Sequence, residues 1–153
     1  ASMYPPVNVD EIVARATSFE AQAIVITGGE PLMYPLDHLT SLLKGHGLEI
    51  FLETSGSHPL SGIFDWVCLS PKRQSPPLQG AFDAANELKV IVEDMDDIAW
   101  AEENALRVGD DCLLFLQPEW SRYETVVGDI VEYAKKHPRW NISIQAHKFM
   151  HIP

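Results

Sequence analysis

Cysteine is nearly absent from this chain: of 153 residues, only Cys68 and Cys112 carry thiols. Two distant thiols, each inside an apolar stretch, make neither a metal-binding spacing nor a disulfide framework. They read as buried free thiols of a reducing cytoplasm. Positive charge is scarce too. Eleven Lys and Arg stand against 22 Asp and Glu, a formal net charge of −11. That balance excludes non-specific nucleic-acid or anionic-membrane binding, since both need a basic surface. No apolar run approaches the roughly 20 residues that span a bilayer. The opening Ala1-Ser2-Met3-Tyr4-Pro5-Pro6 has no basic stretch leading into an apolar one, so it is not a signal peptide. Repeats, low-complexity tracts and interdomain linkers are missing as well. With 46% hydrophobic residues, residues 1–153 read as one domain with a real core.

One stretch organises the rest: Ala23-Ile24-Val25-Ile26-Thr27-Gly28-Gly29-Glu30-Pro31. The β-branched residues favour a buried strand, and the glycine pair permits backbone angles and close approaches that a Cβ would block. The strand therefore ends in a loop whose backbone can lie against a ligand, with the Glu30 carboxylate at its mouth. Taken alone, the motif fits an ordinary strand-to-helix turn equally well.

Strands are predicted at residues 23–27, 48–53, 65–69, 87–92, 112–117 and 141–145. Helices are predicted from Asn8 or Asp10 to about Phe19, and over 36–44, 95–108 and 122–136. Asn8 or Asp10 as a cap, Gly45, Gly47 and Gly109 as stops, and Pro138 as a breaker mark their ends. After Lys72 comes an extended or mobile loop with Pro76-Pro77, and residues 146–153 form a tail. Alternating strands and helices imply right-handed crossovers and a parallel sheet, and the near-continuous apolar strands imply burial on both faces. The fold class is α/β.

In a parallel sheet the C-terminal strand ends share one rim, and ligands bind there. That rim collects Thr27 to Glu30, then Glu53, Thr54 and Ser55, then Ser70 and Lys72, then Gln117, and finally Gln145, His147 and Lys148. Convergent polar groups at the ends of apolar strands point to a ligand site. Lys72 suits an anionic carboxylate or a ribose-linked group. His147 and His151 are four apart, but Pro153 discourages the helix that would align them, and no metal pair is assigned. Asp94-Met95-Asp96-Asp97 reads as a solvated helix start.

Together, Thr27-Gly28-Gly29-Glu30-Pro31, Glu53-Thr54-Ser55-Gly56, Leu69-Ser70-Pro71-Lys72, Glu87-Leu88-Lys89, Leu116-Gln117-Pro118 and Gln145-Ala146-His147-Lys148 with the terminal Ile152-Pro153 resemble one family. From about Val9 to Pro153 the chain is similar to the 7-carboxy-7-deazaguanine synthases, radical S-adenosylmethionine enzymes of the queuosine and deazapurine pathway. The resemblance implies a partial β/α barrel, cytoplasmic and homodimeric, that rearranges 6-carboxytetrahydropterin with loss of ammonia. It implies S-adenosylmethionine contacts from Gly28, Gly29, Glu30, Ser55, Ser70, Pro71, Lys72, Gln117, Pro118, Glu119 and Trp120. It implies pterin contacts from Thr27, His147 and the free carboxylate of Pro153, an acceptor for a guanine-like N–H edge.

The family's three-cysteine motif, which binds a [4Fe–4S] cluster through thiolates, has no counterpart here. The cluster and Mg2+ are expected only with an upstream segment. The chain is accordingly expected to be the C-terminal part of a synthase, lacking the first barrel strand and the cluster loop and inactive in radical chemistry, with Ala1-Ser2-Met3 as an expression scar. The alternatives are a cluster-less nucleoside- or pterin-binding module and a relative that activates glycyl-radical enzymes. The Ser-Pro-Lys strand end and the Ile-Pro terminus speak against the last. An unpaired first edge predicts marginal stability or pairing with another copy.

Overall fold

A computed structural model describes residues 7–152. Six strands form one sheet in the order β1-β2-β3-β4-β5-β6, every neighbouring pair parallel. They are β1 (Ala23–Ile26), β2 (Glu49–Thr54), β3 (Trp66–Leu69), β4 (Glu87–Val92), β5 (Leu113–Pro118) and β6 (Trp140–Ile142). The helices are α1 (Val9–Thr17), α2 (Asp37–Gly45), α3 (Gln79–Ala84), α4 (Asp97–Ala105), α5 (Tyr123–Lys136) and α6 (Ala146–Phe149). Because the strand order never reverses, right-handed crossovers place successive helices on the same face of the sheet. The opposite face stays uncovered by helices, as on the inside of an open, partial barrel.

The strand side chains divide accordingly. In β2, Ile50 and Leu52 point to the helices and are buried, while Phe51 and Glu53 alternate to the other face. In β4, Leu88, Val90 and Val92 are buried, and Glu87, Lys89 and Ile91 face the opposite way. The expectation of burial on both faces is therefore corrected. One face is apolar under helices, and the period-two alternation puts charge on the other.

Each helix buries the stripe its sequence provides. In α1, Asn8 Oδ1 accepts from the Asp10 backbone at 3.0 Å, Asp10 and Glu11 sit in the first turn and Arg15 in the last, and Val13 packs with Leu43, Leu48 and Ile50. Helices α4 and α5 bury Ile98, Ala101, Ala105, Val126 and Ile130 against β4, β5 and Trp140. Fully burying each Leu, Ile or Val contributes about 1.5–3 kcal/mol. Glu102 accepts from Tyr133 Oη at 2.6 Å and Trp140 Nε1 at 2.7 Å, joining α4, α5 and β6.

Two expectations fail locally. The segment after Pro76-Pro77 is not all loop, since α3 follows it and buries Ala81 and Phe82. Residues 146–153 are not a plain tail, because α6 makes one helical turn. Among the described residues no helix is long and apolar enough to cross a membrane.

Candidate functional site

The loop after β1 builds the first wall. Gly28 sits at φ +114°, a conformation that disfavours any residue with a Cβ. No atom lies within 4 Å of where a Cβ on Gly28 or Gly29 would stand, so the space over this backbone is open. Glu30 turns inward instead. One oxygen accepts from the Leu32 backbone at 3.1 Å and Thr54 Oγ1 at 2.6 Å; the other accepts from the Ser55 backbone at 2.8 Å and from Ser55 Oγ. Burial opposes its charge, yet these donors outweigh it and hold the carboxyl below its ordinary range. Glu30 thus ties the β1 loop to the β2 loop, and both its oxygens are engaged.

Past β2, Ser55 Oγ lies 3.0 Å from Ser57 Oγ, which lies 3.1 Å from His58 Nδ1. The β3 end is locked to β2 by the Ser70 N–H donating to the Thr54 carbonyl at 2.8 Å. Pro71 is buried, and Lys72 starts a tight turn closed by a bridge to Ser75. At the tip of that turn Arg73 donates to Asp97 at 2.8 Å and stacks 4.8 Å over Trp100, while Asp97 also accepts from the Glu93 backbone at 2.8 Å. The loops after β3 and β4 are therefore fastened to each other.

These loops enclose a cleft of about 480 Å³, lined by Thr27, Gly28, Gly29, Glu30, Glu53, Ser55, Ser57, His58, Ser70, Lys72, Gln74 and Ser75. A second cleft of about 670 Å³ lies on the helix-free face of the sheet and includes Thr27, Glu53, Ser70, Lys72, Glu87, Lys89, Gln117, Ser143, Gln145 and His147. Thr27, Glu53, Ser70 and Lys72 belong to both. An apolar groove of about 530 Å³ between α1 and the starts of β1 and β2 is remote from this rim.

Charge in the second cleft is set by strand register, which places Glu53 beside Cys68 and Cys68 beside Glu87. Lys89 Nζ donates to Glu53 at 2.9 Å, with side-chain exposures of 13% for the lysine and 44% for the glutamate, so the carboxylate is the end open to a ligand. Burial disfavours the Lys89 charge, but the Cys68 sulfur and the Glu53 and Glu87 carboxylates outweigh it and raise the lysine. Lys72 is exposed at the rim, yet loss of hydration along the cleft wall, followed by repulsion from Lys89, lowers it. Burial pushes the Cys68 thiol up to about 12 and Cys112 up to about 11. Both thiols are free, Cys68 buried and Cys112 half-buried.

The structure thus brings Thr27, Gly28, Gly29, Glu30, Ser55, Ser70 and Lys72 to the first cleft and Gln117 and His147 to the second. Pro71, Pro118, Glu119 and Trp120 line neither. Glu119 caps a 3-10 turn by accepting from the Arg122 backbone at 3.1 Å, and Trp120 packs edge-on to Phe149 with centroids 5.0 Å apart. Pro153 lies outside the described residues. The sequence reading placed Glu53 on the rim without assigning it a role and did not assign Lys89 to the site. Their alternation with apolar neighbours along β2 and β4 was the available signal.

No protein-family model matches the chain. It is 44% identical over 153 residues to the 7-carboxy-7-deazaguanine synthase of Flavobacterium psychrophilum, covering 100% of this chain and 72% of that protein. It is 42% identical over 149 residues to the synthase of that name from Synechocystis sp., covering 97% and 71%. Among solved structures it matches QueE from Escherichia coli with a TM-score of 0.78 and 31% identity, over 91% of this chain and 64% of that one. These matches span 91–100% of the chain, the six strands included, on a superposable fold, and the chain belongs to the 7-carboxy-7-deazaguanine synthase family.

Proposed function

We propose that this chain supplies adjoining S-adenosylmethionine and pterin clefts of a radical S-adenosylmethionine lyase, which converts 6-carboxytetrahydropterin to 7-carboxy-7-deazaguanine in queuosine biosynthesis. One observation carries the reading: the two clefts share a wall of Thr27, Glu53, Ser70 and Lys72. A reaction between a cofactor and a ring substrate needs two compartments that meet where the atoms react.

In this reading the open backbone over Gly28 and Gly29 and the hydroxyls of Ser55 and Ser70 hold the cofactor's methionine end, with Lys72 on its carboxylate. Glu30 positions that wall through its four donors rather than touching the ligand. Thr27 and His147 contact the pterin, and Glu53, oriented by Lys89, is the carboxylate placed to hold or move a proton at the ring. Bound S-adenosylmethionine supplies one-electron chemistry when a reducing cluster stands beside it. The described residues do not offer the thiolate set of a [4Fe–4S] cluster: no group of three His, Cys, Asp or Glu side chains among them is placed to hold a metal ion, and burial raises both thiols. A second reading keeps the two clefts as a module that binds nucleoside and pterin without radical chemistry. Free thiols suit a reducing cytoplasm, and a homodimer is part of the proposal, tested by light scattering for twice the chain mass.

Calorimetry with S-adenosylmethionine tests the cofactor cleft. The chain is expected to bind it, and Lys72→Ala to weaken binding about tenfold or more, the range for losing a charge-assisted hydrogen bond. No binding by the parent chain refutes both readings. Retained binding with conversion of 6-carboxytetrahydropterin by the chain as it stands would refute the assignment of a binding role alone.

A further inference from the structure

The loop after β2 carries a histidine that is held at one ring nitrogen and open at the other. Glu30 accepts from Ser55 Oγ, Ser55 Oγ lies 3.0 Å from Ser57 Oγ, and Ser57 Oγ lies 3.1 Å from His58 Nδ1. The hydrogens available fix the direction of this chain. The Glu30 carboxyl is held below its ordinary range and as a carboxylate only accepts, so the single Ser55 hydroxyl hydrogen points to it. Ser55 Oγ then accepts from Ser57, which uses the one Ser57 hydrogen. The contact between Ser57 and His58 is a hydrogen bond only when Nδ1 brings the hydrogen. The neutral ring therefore carries its proton on Nδ1 and a lone pair on Nε2.

Nε2 is accessible. Among the described residues the bond at Nδ1 is the ring's one hydrogen bond, and Gln145 Oε1 is the one side-chain nitrogen or oxygen both shielded from solvent and unpartnered. Half-buried His58 is not that residue, so its unpartnered Nε2 keeps exposed surface. His58 lines the first cleft together with Ser55 and Ser57, and it does not line the second. Its backbone is held as well. The Gly56 N–H donates to Thr54 Oγ1 at 2.9 Å, the Leu78 N–H donates to the Gly56 carbonyl at 2.8 Å, and Pro59 restricts His58 to extended conformations.

We propose that His58 is a binding residue for the α-ammonium of an amino-acid ligand, its Nε2 accepting an N–H from that group in the first cleft. This rests on the cofactor reading of the cleft, in which Lys72 takes the carboxylate of the same amino-acid end. Charge favours an ammonium over a neutral donor. Every hydrogen of the chain points toward Glu30, so the bonds polarise one another and make Nε2 a better acceptor than that of an isolated imidazole. The Glu30 carboxylate at the far end of the chain adds a field that favours positive charge. An α-amino acid presents both signs, and the cleft answers each: Lys72, the one lysine or arginine lining it, suits the carboxylate, and His58 suits the ammonium.

Two replacements separate the nitrogens of the ring. His58→Asn keeps an amide where Nδ1 stands and can still donate to Ser57, but it has nothing at Nε2. His58→Gln reaches the Nε2 position with an acceptor oxygen. Both are compared with the parent chain by calorimetry at pH 8, above the range in which free imidazole protonates. The ligands are S-adenosylmethionine and 5′-methylthioadenosine, a nucleoside thioether without the amino-acid end, which reports whether the cleft is intact. His58→Asn is expected to weaken S-adenosylmethionine about tenfold or more, the range for a charge-assisted hydrogen bond, and to leave 5′-methylthioadenosine unchanged. His58→Gln is expected to bind S-adenosylmethionine more tightly than His58→Asn does. Parent-like S-adenosylmethionine affinity in His58→Asn overturns the proposal, and if Lys72→Ala still weakens binding, the cofactor reading stands without it. Equal losses for the two ligands overturn it too, since the ring would then serve the nucleoside or the cleft wall. So does a glutamine variant no tighter than the asparagine one. If the parent chain binds no S-adenosylmethionine, the cofactor reading fails and His58 falls with it.

Discussion

Replacing Glu30 by Gln is the sharpest test of how the rim is held. The carboxylate accepts four hydrogen bonds, two per oxygen, from Leu32 N, Thr54 Oγ1, Ser55 N and Ser55 Oγ. A carboxamide offers one oxygen and one NH2. Whichever way it turns, the NH2 meets either the Leu32 or the Ser55 backbone N–H, donor against donor. Hydroxyls can rotate away; a backbone N–H cannot. One unsatisfied N–H at a partly buried position costs about 1–3 kcal/mol, so a loss of about 2 kcal/mol is expected. For a chain of this size that corresponds to a fall in Tm of about 4–8 °C. Urea unfolding followed by circular dichroism at pH 7 and at pH 3.5 separates this cause from a packing defect. The Glu30 pKa is lowered in the folded state from an ordinary 4.5. Its contribution is therefore complete above the unfolded value and is lost as pH falls through the folded one. A protonated carboxyl has the same donor-facing-donor problem as the amide, so the gap between parent and variant should narrow as pH falls. A gap that stays constant with pH, or a variant as stable as the parent at pH 7, refutes the reasoning.

Gly56→Ala should be the more damaging glycine change: its φ is +73°, and a Cβ there would stand 2.7 Å from Ala81 Cβ and from Leu69 Cδ1. Left-handed strain of about 1 kcal/mol and overpacking of about 1–3 kcal/mol predict a loss of about 2–4 kcal/mol by denaturant titration, and a change under about 0.5 kcal/mol would contradict the packing described. Cys68, raised to about 12, and Cys112, raised to about 11, should resist iodoacetamide at pH 8 in the native chain and react once urea unfolds it. Native alkylation at the rate of a free cysteine would show that a thiolate is available.

The strands were legible as short apolar runs that break off into polar or turn-forming residues, and their parallel order followed from the helices between most of them. Helix α3 was not. It has six residues, follows Pro76-Pro77, and starts at Leu78 without a side-chain cap; contacts of Ala81 and Phe82 with the core hold it. Local propensity gives no warning of such a helix. The motif also marked Glu30 as the carboxylate of the rim, but its role depends on Thr54 and Ser55, 24 and 25 residues away. The same holds for the pair of Glu53 and Lys89, 36 residues apart. Both glutamates were visible as residue types; which one opens to a ligand was decided by pairing that only the folded sheet creates.

That pairing also decides where an anion belongs in a chain of net charge −11. Lys89 is matched by Glu53, and its pKa is raised, the sign of a cation already compensated. Lys72 lies within reach of Ser70 Oγ at 3.4 Å and has no ion pair among the described residues; its pKa is lowered by lost hydration and by Lys89. A rim cation that has lost part of its hydration and has no ion pair is stabilised by an anion that binds beside it. Lys72 stands on the wall common to both clefts. A carboxylate bound there recovers what the lysine lacks, and this should happen without disturbing the Glu53–Lys89 pair. Binding of an acidic ligand should therefore depend on Lys72 at low ionic strength and weaken as salt is added. Lys89→Met should act differently, through the orientation of Glu53 rather than through the salt dependence.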